Sequence, residues 1–236
     1  MATSIATDEA RHVLGECVLF DELGPEARKT LFAHVRVRSC AAGENIFLMG
    51  SAGDSLMAVL HGSVRISMSS ADGKEIVVAT IRPREIFGEV AMIDGKERTA
   101  DARAIGACSL AILERRDVLS FLEDHPDVWP KLVEVLCGRL RKTDQQISEL
   151  ALLELPARLA NALLRFANVE GRSTSRGEMG INLSQRELGN ICGASRESIN
   201  KHLGGWQRRG IVQMENGAIN VTNRTALEEL AALDEG

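Results

Sequence analysis

Seven residues of this chain, Trp129, Val133, Leu136, Leu140, Thr143, Ile147 and Leu150, follow one another at spacings of 4-3-4-3-4-3. That is a heptad a/d seam, and a seam of this kind needs a facing helix to cover it. The spacing predicts a helix from about Pro126 to Leu152. A second copy of the same helix is the simplest partner, giving a parallel homodimer. The alternative, packing against the chain's own N-terminal part, applies best at the N-terminal end of the stripe. Thr143 is the one polar member of the seam, and a polar residue there either sets register or touches something polar.

The chain has 236 residues, 44% of them apolar and 26% charged, enough for two modest domains with proper cores. Ahead of the helix, from about Cys40 to Leu113, the sequence is a series of short alternating segments punctuated by glycine. "SLMAVLHGSVRISMS" and "KEIVVATI" read as strands, with an Asp72-Gly73 hairpin turn between them. Further strands are expected at Asn45–Leu48, Asp101–Ile105 and Ser109–Leu113, and a helix near Pro25–Val35. Short strands with frequent turns argue for an antiparallel barrel or jelly roll. After the seam, the helix should break around Leu150–Pro156, and Pro156–Ala167 reads as a second amphipathic helix. "VEGRSTSRGEMG" (169–180) reads as a loop.

Charge is unevenly spread. Of 28 basic and 33 acidic residues, segment 155–236 holds 10 and 9, leaving 18 and 24 before it. Within Ser184–Arg209, five basic residues (Arg186, Arg196, Lys201, Arg208, Arg209) face only Glu187 and Glu197. A locally basic segment in an acidic chain points to a polyanion partner, with a solvated helix face as the bland alternative. In "LSQRELGNICGASRESINKHLGGWQRRGIV", Ser184 with Glu187 forms a capping box, Gly193 permits a sharp turn, and Ser195 with Ser198 opens a second helix. Leu188, Ile191, Ile199 and Leu203 supply the apolar contacts of a helix-turn-helix. Arg196, Glu197, Asn200 and Lys201 share a face where base edges can be read, while Ser184, Gln185 and Arg186 sit where phosphates are gripped. "GIVQMENGAINV" reads as a two-stranded wing with Asn216-Gly217 at its tip. A helix pair that never meets DNA remains the alternative.

"FGEVAMIDGKERTADARA" (87–104) sets a Gly-Glu pair ten residues ahead of an arginine. Taken alone it is either an anion site or a surface Glu–Arg ion pair. "FGEVAMIDGKERTA", "RLRKTDQQISELALLELPARLANALL" and "LSQRELGNICGASRESINKHL", in this order, resemble the cyclic-AMP receptor protein (catabolite activator) and FNR superfamily of bacterial regulators. The resemblance covers roughly Phe20 to Val221. It implies an α+β chain with an N-terminal β jelly-roll cyclic-nucleotide-binding domain (1–125), a dimerisation helix and hinge (126–154) and a C-terminal winged helix-turn-helix (155–236). It also implies that Phe87, Gly88, Glu89, Val90, Ala91, Arg98, Thr99 and Ala100 surround a cyclic nucleotide. Arg98 would hold the cyclic phosphate with the Thr99 hydroxyl, and Glu89 the ribose 2′-hydroxyl. Arg139 would tie the long helix to this cassette, and Thr143 would reach the base.

Two departures bear on the ligand. Thr99 stands where these regulators commonly carry serine. Asp144 stands where a second hydroxyl is usual, and a carboxylate suits the double donor edge of guanine. Cyclic AMP is the expected ligand, with cyclic GMP the alternative. The implied partners are a second copy of the chain, double-stranded DNA with palindromic TGTGA-like half-sites, and RNA polymerase. Ser184, Gln185, Arg186, Ser195, Arg196, Glu197, Ser198, Asn200 and Lys201 form the implied DNA face; Lys201 replaces an arginine and lacks its rigid fork.

Rival readings fare worse. The five cysteines (17, 40, 108, 137, 192) lack the short spacings of a metal or iron–sulfur site, which disfavours a redox sensor. His61 at a strand end reads as a lone surface histidine rather than a haem ligand. Neither a Ser-His-Asp grouping nor a Walker loop appears, so an enzyme is not expected. A ligand-free regulator with a vestigial cassette is disfavoured by the intact Gly88, Glu89 and Arg98. No membrane span or signal peptide is visible, and a cytoplasmic location is expected.

Overall fold

The computed structural model describes residues 2–70, 75–170, 172–173, 179–181, 183–215 and 218–232. The expected turns at Asp72-Gly73 and Asn216-Gly217 lie outside the described residues, as do 171 and 174–178 of the expected loop. The chain forms two compact units, one of Met1–Ser69 with Val77–Arg141 and the other of Ser70–Ile76 with Lys142–Gly236.

The first unit opens with α1 (Ala2–Gly15) and α2 (Pro25–Phe32), followed by β1 (Arg36–Cys40), β2 (Asn45–Phe47), β3 (Ser55–His61), β4 (Val64–Ser69), β5 (Glu75–Ile81) and β6 (Ile86–Phe87). A short helix, α3 (Glu89–Asp94), interrupts the strands before β7 (Asp101–Ala104), β8 (Cys108–Glu114) and α4 (Arg115–Asp124). The strands form two four-stranded sheets, ordered β1-β8-β3-β6 and β2-β7-β4-β5. The register-matched pairs β1–β8, β3–β8, β3–β6, β2–β7 and β4–β7 are all antiparallel. β3 shows why its sequence is nearly all apolar. Met57 and Val59 face the interior between the sheets, while Leu56, Ala58 and Leu60 face a second core under the helices. The run 55–69 is two strands, not one, because the chain turns at Gly62. There φ is +79°, and a Cβ would lie 2.6 Å from the Ala107 carbonyl oxygen. His61 is exposed and pairs with Glu9 of α1 at 2.9 Å, so it is not the lone histidine the sequence suggested.

A 3-10 turn at Pro126–Val128 leads into α5 (Trp129–Leu152), so the long helix begins three residues later than expected. One face of it, Leu132 and Val135, packs with the preceding Val128 into the first unit's helical core. The predicted seam is the adjacent face and is partly uncovered in the single chain, with Leu136, Thr143 and Leu150 half-buried. Trp129, Val133, Leu140 and Ile147 are 37, 52, 61 and 58% exposed.

The second unit contains α6 (Leu155–Glu170), β9 (Arg172–Ser173), β10 (Met179–Ile181), α7 (Gln185–Cys192), α8 (Arg196–Arg208), β11 (Val212–Glu215), β12 (Ala218–Val221) and α9 (Arg224–Ala232). The wing is larger than the expected hairpin: β10 pairs with β12 and β9 with β10, making a four-stranded sheet β11-β12-β10-β9. Both extra strands come from the segment read as loop. Leu159 and Leu163 of α6, Leu188 of α7, Ile199 and Leu203 of α8 and Leu227 of α9 are fully buried in one core. The last turn of α5 belongs to this unit. Glu149 takes Arg165 at 2.6 Å, and the Leu150 carbonyl accepts from Arg158 at 3.1 Å.

Candidate functional site

Helix α3 holds the first unit's candidate site. Gly88 is its N-cap, with φ +81°, and a Cβ there would meet Nη1 of Arg98 at 2.5 Å. Only glycine lets the arginine approach this closely. Glu89, the next residue, is fully buried. One of its carboxylate oxygens, Oε1, accepts from Nη1 of Arg139 at 2.5 Å; Arg139 also donates to the Ile86 carbonyl. The other, Oε2, is buried without a hydrogen-bond partner among the described residues.

Arg98 is 4% exposed. Nη1 donates to the Gly88 carbonyl at 2.8 Å, and Nη2 to both the carbonyl and hydroxyl of Ser55 at 2.9 Å. The Phe47 ring lies 4.4 Å from its guanidinium carbon, a cation–π contact. Nε is buried and has no partner among the described residues. Burial pulls this guanidinium below its usual range, and the nearby carboxylates of Asp54 and Glu89 oppose that pull. Glu89 and Arg98 therefore do not form the surface ion pair considered from the sequence. Each is buried, separately partnered and left with one unanswered polar atom.

These residues line one cavity of about 60 Å³, together with Phe47, Ile66, Phe87, Val90, Ala91, Thr99 and Ala100. Arg139 closes it from α5. Buried polar groups without partners are costly and rare, and two side chains that each carry one line the same cavity. The donor set fits a sugar phosphate, with a carboxylate acceptor for a hydroxyl and a guanidinium for an anion. Sequence reasoning missed Phe47, Ile66 and Ser55, which are ordinary strand residues brought in only by the fold.

Eight of the expected ligand residues are thus gathered around the cavity, with Arg139 as a ninth. Thr143 and Asp144 lie on α5 beyond Arg139, within the second unit; Thr143 is half-buried and Asp144 exposed.

The second unit builds the helix pair as its sequence implies. Ser184 caps α7 in a full capping box with Glu187, and α7 ends at Gly193 with φ +61°. Ser195 caps α8 by accepting from the Ser198 amide at 3.2 Å, and the two serine hydroxyls lie 3.1 Å apart. Arg196, Glu197, Asn200 and Lys201 are exposed in the first half of α8, whereas Ile199, Leu203 and Trp206 are buried. Gln185 donates to the Asn200 side chain at 3.2 Å, joining the start of α7 to these exposed residues. Arg186 is exposed beside it. The Glu197 carboxyl is held below its usual range by its own backbone amide and by Ser195.

Cys17, Cys40, Cys108 and Cys192 are buried free thiols, and burial pushes Cys17 and Cys192 up to about 12. Among the described residues, no cluster of His, Cys, Asp or Glu could hold a metal, and no helix is long and apolar enough to cross a membrane.

Comparison with known proteins agrees with both halves. Residues 37–125 match the cyclic nucleotide-binding domain family, and residues 157–230 match the Crp-like helix-turn-helix domain family. The chain is 28% identical over 221 residues to a CRP-like cAMP-activated global transcriptional regulator of Mycobacterium tuberculosis, covering 93% of this chain and 98% of that one. It is 31% identical over 213 residues to the cyclic AMP receptor protein of Thermus thermophilus, covering 90 and 96%. A solved Thermus thermophilus transcriptional regulator of the CRP/FNR family superposes with a TM-score of 0.68 at 28% identity, covering 84 and 98%. With a cyclic-nucleotide-binding domain followed by a Crp-like helix-turn-helix, the chain belongs to the CRP/FNR family of transcriptional regulators.

Proposed function

We propose that the chain is a homodimeric, sequence-specific DNA-binding regulator switched by cyclic AMP. The observation that carries this reading is that Glu89 and Arg98, two buried side chains each with one unanswered polar atom, line one cavity. Glu89 accepts the proton of the ribose 2′-hydroxyl through Oε2. Arg98 turns from Ser55 and Gly88 to the cyclic phosphate, which exchanges neutral acceptors for a charged one. Thr99 adds a hydroxyl donor. Arg139 stays on Glu89 and carries the change at the cassette to α5, where Thr143, the one polar residue of the seam, reaches the base.

The exposed seam of α5 supports dimerisation through residues 126–152, since large apolar side chains in a row call for a covering partner. On DNA, Arg196, Glu197 and Lys201 read base edges in palindromic TGTGA-like half-sites. Ser184, Gln185, Arg186, Ser195, Ser198 and Asn200 position the helix. RNA polymerase is the expected further partner. The names of the Thermus thermophilus and Mycobacterium tuberculosis relatives favour cyclic AMP. Asp144, exposed beside Thr143, supports cyclic GMP as the second reading.

Isothermal titration with cyclic AMP, cyclic GMP and 2′-deoxy cyclic AMP tests the ligand. Cyclic AMP should bind tightest, and Glu89→Gln should weaken it on the order of tenfold to a hundredfold, as for loss of a charged hydrogen bond. Tighter cyclic GMP binding moves the assignment to the second reading. Binding of neither nucleotide refutes both. Selection of binding sites from random duplexes tests the DNA face; an unrelated core would remove the assigned base contacts.

A further inference from the structure

We propose that Arg115 is a positioning residue for the nucleotide site, holding Glu89 in place from the opposite end of α3; this rests on the ligand reading above. Six residues make too short a helix to persist without outside support. Its N-terminal end is fixed by Gly88 and Arg98. Its C-terminal end stops at Gly95, in the left-handed region at φ +71°. There Arg115, the first residue of α4, donates from Nε to the Met92 carbonyl at 2.7 Å and from Nη2 to the Ile93 carbonyl at 3.4 Å. These are carbonyls that the helix itself leaves unsatisfied, at the negative end of its dipole, so a guanidinium both caps and neutralises it. Gly95 makes room for this: a Cβ there would come within 3.1 Å of Nη2.

The same residue reaches the other half of the site through its backbone. The Arg115 amide donates to the Asp54 carbonyl at 2.7 Å, and the next residue, Ser55, is the one that holds Arg98. The junction of β8 and α4 therefore sets the spacing between the helix bearing the carboxylate and the strand that seats the guanidinium. Removing the side chain frees α3 while the backbone link to Asp54 persists. Glu89 then samples positions from which Oε2 no longer meets a 2′-hydroxyl.

The test compares the wild-type chain with Arg115→Ala and Arg115→Lys, in two measurements. Without ligand, hydrogen exchange at the Met92 and Gly95 amides, which close α3, should speed up at least tenfold in Arg115→Ala while the β3 and β8 amides keep their protection. With ligand, the ratio of affinities for cyclic AMP and its 2′-deoxy analogue should fall about tenfold toward one in Arg115→Ala, and recover in part in Arg115→Lys. A loss of fold stability alone would weaken both ligands equally and leave the ratio intact. An unchanged ratio, or unchanged α3 exchange, overturns the proposal. A wild-type chain that binds neither nucleotide overturns the ligand reading instead, and the exchange measurement then still decides whether Arg115 anchors α3.

Discussion

Position 88 is constrained twice, by its left-handed backbone and by the guanidinium pressed against it. A methyl group would sit 2.5 Å from Nη1 of Arg98, which is the atom donating to the Gly88 carbonyl. Gly88→Ala should therefore cost about 1–3 kcal/mol of stability, the usual range for forcing a side chain into such a conformation. It should also weaken nucleotide binding more than tenfold, because a strained N-cap displaces Glu89, the next residue. Thermal melting and titration read the two effects separately; an alanine variant that binds as tightly as wild type would show that Gly88 does not set the position of Glu89. The sequence made Gly88, Glu89 and Arg98 legible because each is chemically conspicuous and the three fall within eleven residues. Ser55 could not be read that way. It lies 43 residues before Arg98, inside an apolar strand, and only the register of β3 makes it a partner. Phe47 and Ile66 have the same origin as inward-facing strand residues.

Helix α5 carries two apolar stripes one residue apart. Leu132 and Val135, with Val128 just ahead of the helix, turn toward the first unit on the side that Arg139 continues, and Trp129, Val133, Leu136 and Leu140 belong to the predicted seam. The heptad spacing drew attention to the second stripe and hid the first, since neighbouring apolar positions blur the phase of a helix. The two stripes should respond differently to substitution. Leu132 is fully buried, so Leu132→Ala should destabilise the chain by about 2–5 kcal/mol, measured by denaturant unfolding. Leu140 is 61% exposed, so Leu140→Arg should leave the fold intact and shift the dimer to monomer in sedimentation velocity. A Leu140→Arg chain that remains dimeric would place the interface elsewhere. Elements the sequence did not reveal share a cause. β6 has two residues and no measurable period, β9 has two and β10 three. Elements so short are set by their neighbours in the fold and not by their own pattern.

At the scale of the whole molecule, the two units share one helix. The first holds α5 through Arg139 on Glu89, and the second holds its last turn through Glu149 on Arg165 and Leu150 on Arg158. In the proposed dimer, nucleotide can control DNA binding only to the extent that two arrangements hold it unequally. Arg98 gives that difference a physical form. It is satisfied here by Ser55 and Gly88, and a ligand phosphate that drew it away would select another arrangement. Linkage then fixes a quantitative expectation. The gain in DNA affinity on filling both sites of a dimer must equal the product of the gains that DNA confers on the two nucleotide-binding steps, with each coupling in the range of about 5- to 150-fold. Titration of nucleotide with and without a duplex gives one side of this equality, and DNA-shift assays with and without nucleotide give the other. The Leu140→Arg monomer should retain nucleotide binding at the cassette and lose the coupling, because a single recognition helix has no spacing to correct. Coupling that survives in the monomer would mean that the nucleotide acts on DNA affinity within one chain, and the dimer would then contribute avidity alone.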